Sequence, residues 1–186
     1  MSSIDLILLG LAHDRPVSAY EMQKQVESRN LGKWVRISTP SIYKKVLKLE
    51  VQGYLEKRIE REGRMPEKAV YSITPKGLER FTELMREGAN EAVEVLFDFN
   101  AVVANLNKLP PDEAIKLIDS IRGGIRESLA FIEDVRPEKS HIPLTGRAVL
   151  DQQIRVLQTL SLWADGFREE FEREKSPEPK EPEGSP

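Results

Sequence analysis

Three lysines, Lys44, Lys45 and Lys48, lie within five residues of one another in segment 39–55 and carry the clearest chemistry in this chain. An ammonium group has three hydrogen-bond donors, which suit phosphate oxygens and the acceptor edge of guanine. At helical spacing the lysines and Ser41 share one face. A second face carries the buried stripe, which comprises Ile42, Val46, Leu49 and Gly53. A charged face above an apolar stripe is what a DNA-reading helix needs.

The same segment contains signals for the start of this helix. Thr39 is a residue type that caps helix N-termini, and Pro40 suits the first helical position because its N–H is missing. Leu47 and Val51 lie off the stripe, and we expect them to pack on the first helix or on dimerisation helices rather than on DNA. A lysine face alone would also fit an ordinary solvated surface.

The residues that follow the helix predict a β-hairpin formed by segments 55–62 and 68–74. Apolar residues recur at strand spacing in both segments, and Gly63 and Pro66 supply turn residues between them. A basic helix followed at once by a charged hairpin is the layout of a winged helix. We expect Arg64 at the hairpin tip, assisted by Lys68, to contact the DNA backbone or a narrow minor groove.

Two further helices precede the basic one. Residues 4–11 are apolar on almost every side and predict a short central helix. Ser18 and Glu21 have the spacing of a capping box and predict the start of a second helix. Trp34, in the loop that follows, can stack on a base or a ligand, but it more commonly seals a small core. Helix, helix, loop, helix and hairpin thus fit within about 75 residues, a normal size for a small domain.

Short motifs at fixed spacing run through the first eighty residues. They are Leu8-Leu9-Gly10-Leu11, Tyr20, Ser41-Ile42-Tyr43, Leu49-Glu50 and Gly53-Tyr54-Leu55, followed by Tyr71, Ile73, Thr74 and Gly77. In type and order these motifs resemble the PadR family of transcriptional regulators. Two positions depart from the family pattern: Ser18-Ala19 stands where His-Gly is usual, and Lys44-Lys45 stands where Pro-Ala is usual. The second departure makes the expected reading face more basic.

The resemblance implies a homodimer that represses genes by binding a pseudo-palindromic operator in double-stranded DNA. In some family members a small-molecule effector, such as a phenolic acid or a drug, releases the operator. The resemblance also implies that the Tyr43 hydroxyl donates to a phosphate. The DNA-binding residues that we predict are Ser41, Tyr43, Lys44, Lys45, Lys48, Arg64 and Lys68.

Charge is distributed unevenly along the chain. Residues 1–80 hold 15 Lys or Arg against 10 Asp or Glu, a net charge of +5, whereas residues 81–186 hold 13 against 21, a net charge of −8. This asymmetry attracts residues 1–80 to the negatively charged DNA and repels residues 81–186 from it. The chain has no cysteine and no apolar run long enough to span a membrane, and we expect a soluble cytoplasmic protein.

The acidic C-terminal part of the chain is predicted to form three helices. The first is capped by Thr74 and extends without interruption from Pro75 to about Asn107, the second starts at Pro111, and the third runs from Thr145 to about Glu174. Gly123 and Gly124 weaken the second helix unless another backbone approaches closely there. Wide apolar stripes on these helices could close among themselves as a small bundle, but a two-fold dimer that shares its core is the preferred interpretation.

We therefore predict a mainly α-helical chain with a small β-hairpin wing. An N-terminal winged helix-turn-helix DNA-binding domain (1–76) precedes a C-terminal α-helical dimerisation domain (77–175) and a disordered, proline-rich tail (176–186). Trp34, Phe97, Phe99 and Trp163 are the aromatic residues that could line an effector pocket, although core packing explains them equally well.

Other function classes find less support in the sequence. His13 and His141 show no metal-ligand pattern, and no nucleophile has a recognisable partner, so we expect no catalysis, no metal and no cofactor. A winged helix that binds proteins rather than DNA remains the alternative, and the lysine face discriminates between the two.

Overall fold

The structure, a computed structural model, describes residues 2–33, 35, 37, 39–61, 67–134 and 142–175, apart from the side chains of residues 33, 39 and 40. The described chain separates into two compact units, Met1–Glu94 and Val95–Pro186. The sequence boundary at residue 76 therefore differs from this division, because the helix that follows the hairpin is counted with the first unit. The predicted tail, 176–186, lies outside the described residues.

Among its described residues, the first unit contains four α-helices, a short 3-10 helix (Leu31–Lys33) and one hairpin. The α-helices and strands are α1 (Ser3–Asp14), α2 (Ala19–Ser28), α3 (Thr39–Val51), β1 (Leu55–Glu60), β2 (Lys68–Ile73) and α4 (Pro75–Ala89). As predicted, α1 is central: it contacts α3, β2 and α4, and its Leu8 and Leu9 are fully buried. The predicted capping box opens α2, because the Ser18 N–H donates to Glu21 Oε2 (2.8 Å) and the Glu21 N–H donates to Ser18 Oγ (3.2 Å). These hydrogen bonds hold the pKa of Glu21 below its ordinary value.

The hairpin pairs in register from Leu55 opposite Ile73 to Glu60 opposite Lys68. Its second strand also bridges backwards to the α1–α2 connection. The N–H and carbonyl groups of Val17 and Tyr71 exchange two hydrogen bonds, of 3.0 and 2.9 Å. This bridge, which the sequence analysis missed, fastens the wing to the helical core and explains why an otherwise marginal hairpin is stable.

A left-handed glycine ends α3 and turns the chain into the wing. Gly53 has φ of +75°. The N–H of Gly53 donates to the Glu50 carbonyl (2.8 Å), and the N–H of Tyr54 donates to the Leu49 carbonyl (2.9 Å). These two bonds form a Schellman motif. Gly53 was placed by sequence on the buried stripe inside the helix, and that placement is wrong because it is the exposed residue that terminates the helix.

The start of α4 is locked against the same turn. Thr74 caps α4, as predicted, by accepting from the Gly77 N–H (3.0 Å), and its hydroxyl donates to the Gly53 carbonyl (2.7 Å). Gly77 lies so near this turn that a Cβ atom built on it would stand 2.0 Å from the carbonyl oxygen of Tyr54. The junction between α3, the wing and α4 therefore depends on a residue without a side chain.

The uninterrupted helix predicted from Pro75 to about Asn107 is wrong. The helix α4 ends at Ala89, where the Asn90 side chain donates to the carbonyl of Arg86 (2.9 Å) and satisfies the helix terminus. Residues 92–97 have no regular structure, and α5 (Asn100–Val103) is a single turn. The apolar spacing of three and four continued across this break by coincidence. Leu96, counted in the predicted stripe, is 73% exposed.

The second unit is built around two long antiparallel helices, α6 (Pro111–Asp134) and α7 (Leu144–Lys175), close to their predicted bounds. Its buried cluster is small and consists of Leu106, Ala114, Ile118 and Phe171. Ion pairs supplement it: Asp165 accepts from Arg122 (2.8 Å) and Arg126 (2.7 Å), which holds the pKa of Asp165 below its ordinary value. In the described part of this unit, helix pairing therefore rests on a thin core, and these partly exposed ion pairs add little to it.

The Gly77 contact makes a testable prediction about the first unit. Replacing Gly77 with Ala should lower the free energy of unfolding by at least about 2 kcal/mol, because the new methyl group meets a backbone oxygen that cannot move independently. Gly10→Ala, in α1, is the matched control, because its Cβ would meet only the Phe81 ring at 3.4 Å. Urea-induced unfolding measures both, and equal stability of the two variants would contradict the prediction.

Candidate nucleic-acid interface

The outward face of α3 is the surface on which the predicted DNA-binding residues converge. The helix is held by the stripe Ile42, Val46 and Leu49, which are at most 2% exposed. Lys44 and Lys48, one turn apart on the opposite side, are exposed, and neither forms an ion pair with another described residue. Two ammonium groups thus stand outward from a helix whose other side is anchored in the core.

Lys45 lies elsewhere than the sequence analysis expected. Its ammonium group is 2.9 Å from Oδ1 of Asp5 on α1, and both side chains are less than a third exposed. That carboxylate oxygen is enclosed, and no hydrogen bond of good geometry reaches it from the described residues. Lys45 therefore supplies the charge that compensates a part-buried carboxylate and links α3 to α1.

Leu47 and Val51 do not pack on the first helix, one of the two sites expected for them, and packing on dimerisation helices stays a prediction. Their side chains are 52% and 86% exposed, on the same outward face as the two free lysines. The first helix is out of their reach because both residues lie on the side of α3 opposite the buried stripe. Tyr43 is also outward, at 45% exposure, whereas Ser41 is half-buried.

The wing contributes one described member of the predicted set. Lys68 begins β2, is 44% exposed, and has its ammonium group 3.9 Å from a carboxylate oxygen of Glu21 on α2. Arg64 and the turn residues Gly63 and Pro66 lie outside the described residues, so the tip contact remains a prediction. Ile59, on β1, is 57% exposed.

Three of the four aromatic residues suggested for an effector pocket are brought together in the second unit. The rings of Phe97 and Phe99 stack with centroids 5.2 Å apart, and Phe99 stacks on Trp163 at 5.7 Å. The row continues from Trp163 to Phe167 at 5.6 Å. Trp34 falls within the range of the first unit and lies outside the described residues.

Two apolar grooves adjoin this aromatic row. One, of about 320 Å³, lies between α6 and α7 and is lined by Phe97, Phe99 and Gly124 among others. The other, of about 440 Å³, is lined by Phe97, Phe99 and Trp163 among others. Both volumes fall within the range of small-molecule sites.

The described residues contain neither a group of His, Asp and Glu side chains arranged to hold a metal ion nor a helix long and apolar enough to cross a membrane.

The Asp5–Lys45 pair yields a prediction that separates a structural role from a DNA-binding one. Lys45→Met should lower the free energy of unfolding by about 1–2 kcal/mol, because it leaves a part-buried carboxylate without its countercharge. Lys44→Met, the matched exposed control, should change it by less than about 0.5 kcal/mol. A double-mutant cycle with Asp5→Asn isolates the coupling. Unchanged stability in Lys45→Met would show that the pair is not structural.

Comparison with known proteins identifies a family whose members resemble part of this chain. The sequence profile of the transcriptional regulator PadR-like family matches residues 8–83. No curated protein matches the chain. The family is one of transcriptional regulators, which agrees with the expectation of a protein that is not an enzyme.

Solved structures share the fold over nearly the whole chain. Bacillus subtilis PadR in complex with operator DNA has a TM-score of 0.76 at 18% identity, covering 91% of this chain and 99% of that one. The same protein in complex with p-coumaric acid gives 0.75 at 17% identity, covering 91% and 98%. A PadR-like transcriptional regulator from Bacillus cereus gives 0.72 at 20% identity, covering 93% and 100%.

These similarities confirm the fold class predicted from the sequence, a mainly helical chain with a two-stranded wing. Residues 8–83 are a PadR-like domain, and the chain has the fold of the PadR-type transcriptional regulators.

Proposed function

We propose that this chain is a homodimeric transcriptional repressor that binds a pseudo-palindromic operator in double-stranded DNA. The observation that carries the proposal is the outward face of α3, where Lys44 and Lys48 are exposed and unpaired among the described residues. In a winged helix this face enters the major groove, where ammonium groups meet phosphates or guanine acceptors. The operator complex of Bacillus subtilis PadR, which has the same fold, supports this reading.

Electrostatics favours the same partner. The net charge of +5 on residues 1–80 attracts the polyanionic duplex, and the net charge of −8 on the remaining residues does not. With Lys45 engaged by Asp5, we assign groove or phosphate contacts to Lys44 and Lys48, and backbone contacts to Tyr43 and the wing residues Lys68 and Arg64. Binding to genomic DNA implies a cytoplasmic location.

An apolar seam on α6 supports the homodimer. Leu117, Gly124 and Phe131 recur every seven residues, and all three are exposed. Apart from chain neighbours and the adjoining backbone of α6 itself, no described atom lies within 4 Å of a Cβ built on Gly124 or on Gly123. Glycines cost helix stability unless a backbone approaches closely, and no such backbone comes from the described part of this chain. A second copy, packed seam against seam, would account for both the glycines and the exposed apolar residues.

A symmetric dimer also explains how the reading helices are used. Two copies of α3 related by a two-fold axis can enter successive major grooves, with half-sites about 34–36 Å apart or at a multiple of that distance. The operator would then be an inverted repeat, because each half-site is read by the same residues.

Release by a small-molecule effector is a second component of the proposal. The grooves beside Phe97, Phe99 and Trp163 are apolar and aromatic, as a planar phenolic ligand would require. The fold is shared with a PadR structure that holds p-coumaric acid. A ligand there would act by favouring a dimer geometry that does not fit the operator.

The alternative function is a winged-helix module that binds another protein. Selection of bound duplexes from a random pool separates the two functions, because enrichment of an inverted repeat requires dimeric sequence readout. Absence of any enriched sequence would favour the protein-binding module.

Charge reversal of the two free lysines tests DNA binding directly. The double variant Lys44→Glu, Lys48→Glu should lose operator binding by at least 100-fold, about 2.7 kcal/mol, because attraction to phosphates becomes repulsion. For the wild type, the logarithm of the binding constant plotted against the logarithm of the salt concentration should have a slope (the salt slope) of about −5 to −7, if each DNA-binding domain of the dimer neutralises three or four phosphates. Fluorescence anisotropy with the selected duplex measures both quantities.

The control for charge reversal is Lys116→Glu, on the exposed side of α6, which should bind the operator like the wild type. Thermal unfolding should be similar in all three proteins, since the three lysines are exposed. Operator binding that survives reversal at Lys44 and Lys48 would refute the assignment of α3 as the reading helix.

The dimer is tested on the α6 seam. Phe131→Glu should convert a dimer into a monomer in sedimentation at micromolar concentration, because it places a charge in an apolar interface. The monomer should also bind a single half-site only weakly. Glu133→Lys, an exposed change two residues away, should leave the dimer intact. A wild type that sediments as a monomer would exclude the proposed assembly.

A further inference from the structure

Three apolar side chains form a row along the outward face of α3. Tyr43, Leu47 and Val51 follow one another at intervals of four residues and are 45%, 52% and 86% exposed. Each interval advances the helix by about 6 Å and rotates it by roughly 40° beyond a full turn. The three residues are therefore neighbours on one surface, which we call the apolar row.

Positive charge borders this row. Lys44 and Lys48 each adjoin a member of the row in sequence, and both are exposed without an ion pair to the described residues. The one acidic residue of α3, Glu50, is half-buried and lies near the wing. Burial and the charge of Glu50 together raise the pKa of the Tyr71 hydroxyl on β2. A partner of this face must therefore offer negative charge along one edge of the row and apolar groups beside it.

The major groove of B-DNA has this arrangement. Phosphates line its rims, and the C5-methyl group of thymine is the apolar group displayed by its base edges. Lysine contacts to phosphates position a protein but carry no sequence information. Leu47 and Val51, in contrast, would distinguish thymine from the other bases by contact with its methyl group.

We propose that Leu47 and Val51 read thymine methyl groups in each operator half-site. The two side chains are separated by about 6 Å along the helix axis, and successive base pairs by about 3.4 Å. The two thymines should accordingly lie about two base pairs apart, on either strand. This inference rests on the proposed function, because it requires α3 to enter the major groove.

Replacement of thymine by deoxyuridine tests the proposal without altering base pairing. Each thymine of the selected operator is replaced in turn, together with its symmetry mate, and binding of the wild-type protein is measured by fluorescence anisotropy. Loss of one buried methyl group should weaken binding about 4-fold per half-site. The expected result is such a loss at two thymines per half-site, about two base pairs apart, and none at the others.

Protein variants then assign each methyl group to a side chain. At one of the two positions, Leu47→Ala should bind the thymine operator and the deoxyuridine operator equally, because the methyl group has lost its partner. At the other position, Val51→Ala should show the same indifference. Lys48→Ala is the matched control, and it should weaken binding to all duplexes equally. It should reduce the magnitude of the salt slope by about 2 in the dimer and keep the full deoxyuridine effect. Exposure of Leu47 and Val51 means that their truncation should leave thermal unfolding unchanged.

The outcomes separate this proposal from the function on which it rests. Tight, selective binding of an operator that is indifferent to deoxyuridine at every position would overturn thymine reading and leave the repressor intact. Failure to select any duplex would overturn both. Loss of dimerisation in Leu47→Ala, with the deoxyuridine effect retained, would assign the apolar row to contact between copies and also overturn the proposal.

Discussion

Burial of one apolar stripe beneath α3 is the constraint on which the rest of this molecule depends. Ile42, Val46 and Leu49 are almost completely enclosed, and with α1 they form the centre of the first unit. Each such side chain contributes about 1.5–3 kcal/mol when it leaves water. A helix anchored by three of them cannot rotate, so the opposite face is presented outward whatever its composition. The stripe thus determines which residues are available to a partner.

A second constraint joins α3 to the wing. Gly53 ends α3 in the left-handed region, Thr74 bonds the carbonyl of that same glycine, and Gly77 lets α4 start directly against Tyr54. Together with the backbone bridge from Val17 to Tyr71, these contacts fix the angle between α3 and the wing, mainly through main-chain groups. A rigid junction of this kind is what the proposed contact of α3 and the wing with one duplex would require.

Local sequence signals were sufficient wherever a residue's role is decided by its neighbours in the chain. The capping box at Ser18, the cap at Thr74 and the bounds of α6 and α7 were predicted and are confirmed, because caps and periodicity act over three or four residues. The long helix after Pro75 was predicted wrongly for the same reason. Periodicity continued through residues 90–99, and only the aromatic stacking of Phe97 and Phe99 in the second unit shows where that segment packs.

By itself the sequence determined that a basic helix on an apolar stripe precedes a hairpin and long amphipathic helices, and the family profile matches the part of the chain that holds this helix and hairpin. Tertiary structure decided which face of α3 is free. Lys45 and Lys44 are adjacent and chemically identical, yet one lies against Asp5 of α1 and the other faces solvent. Leu47 and Val51, although apolar, are left outside because they lie on the side of α3 opposite the stripe that packs on the core. Periodicity assigns residues to faces, but packing against distant elements determines which of those faces remains exposed.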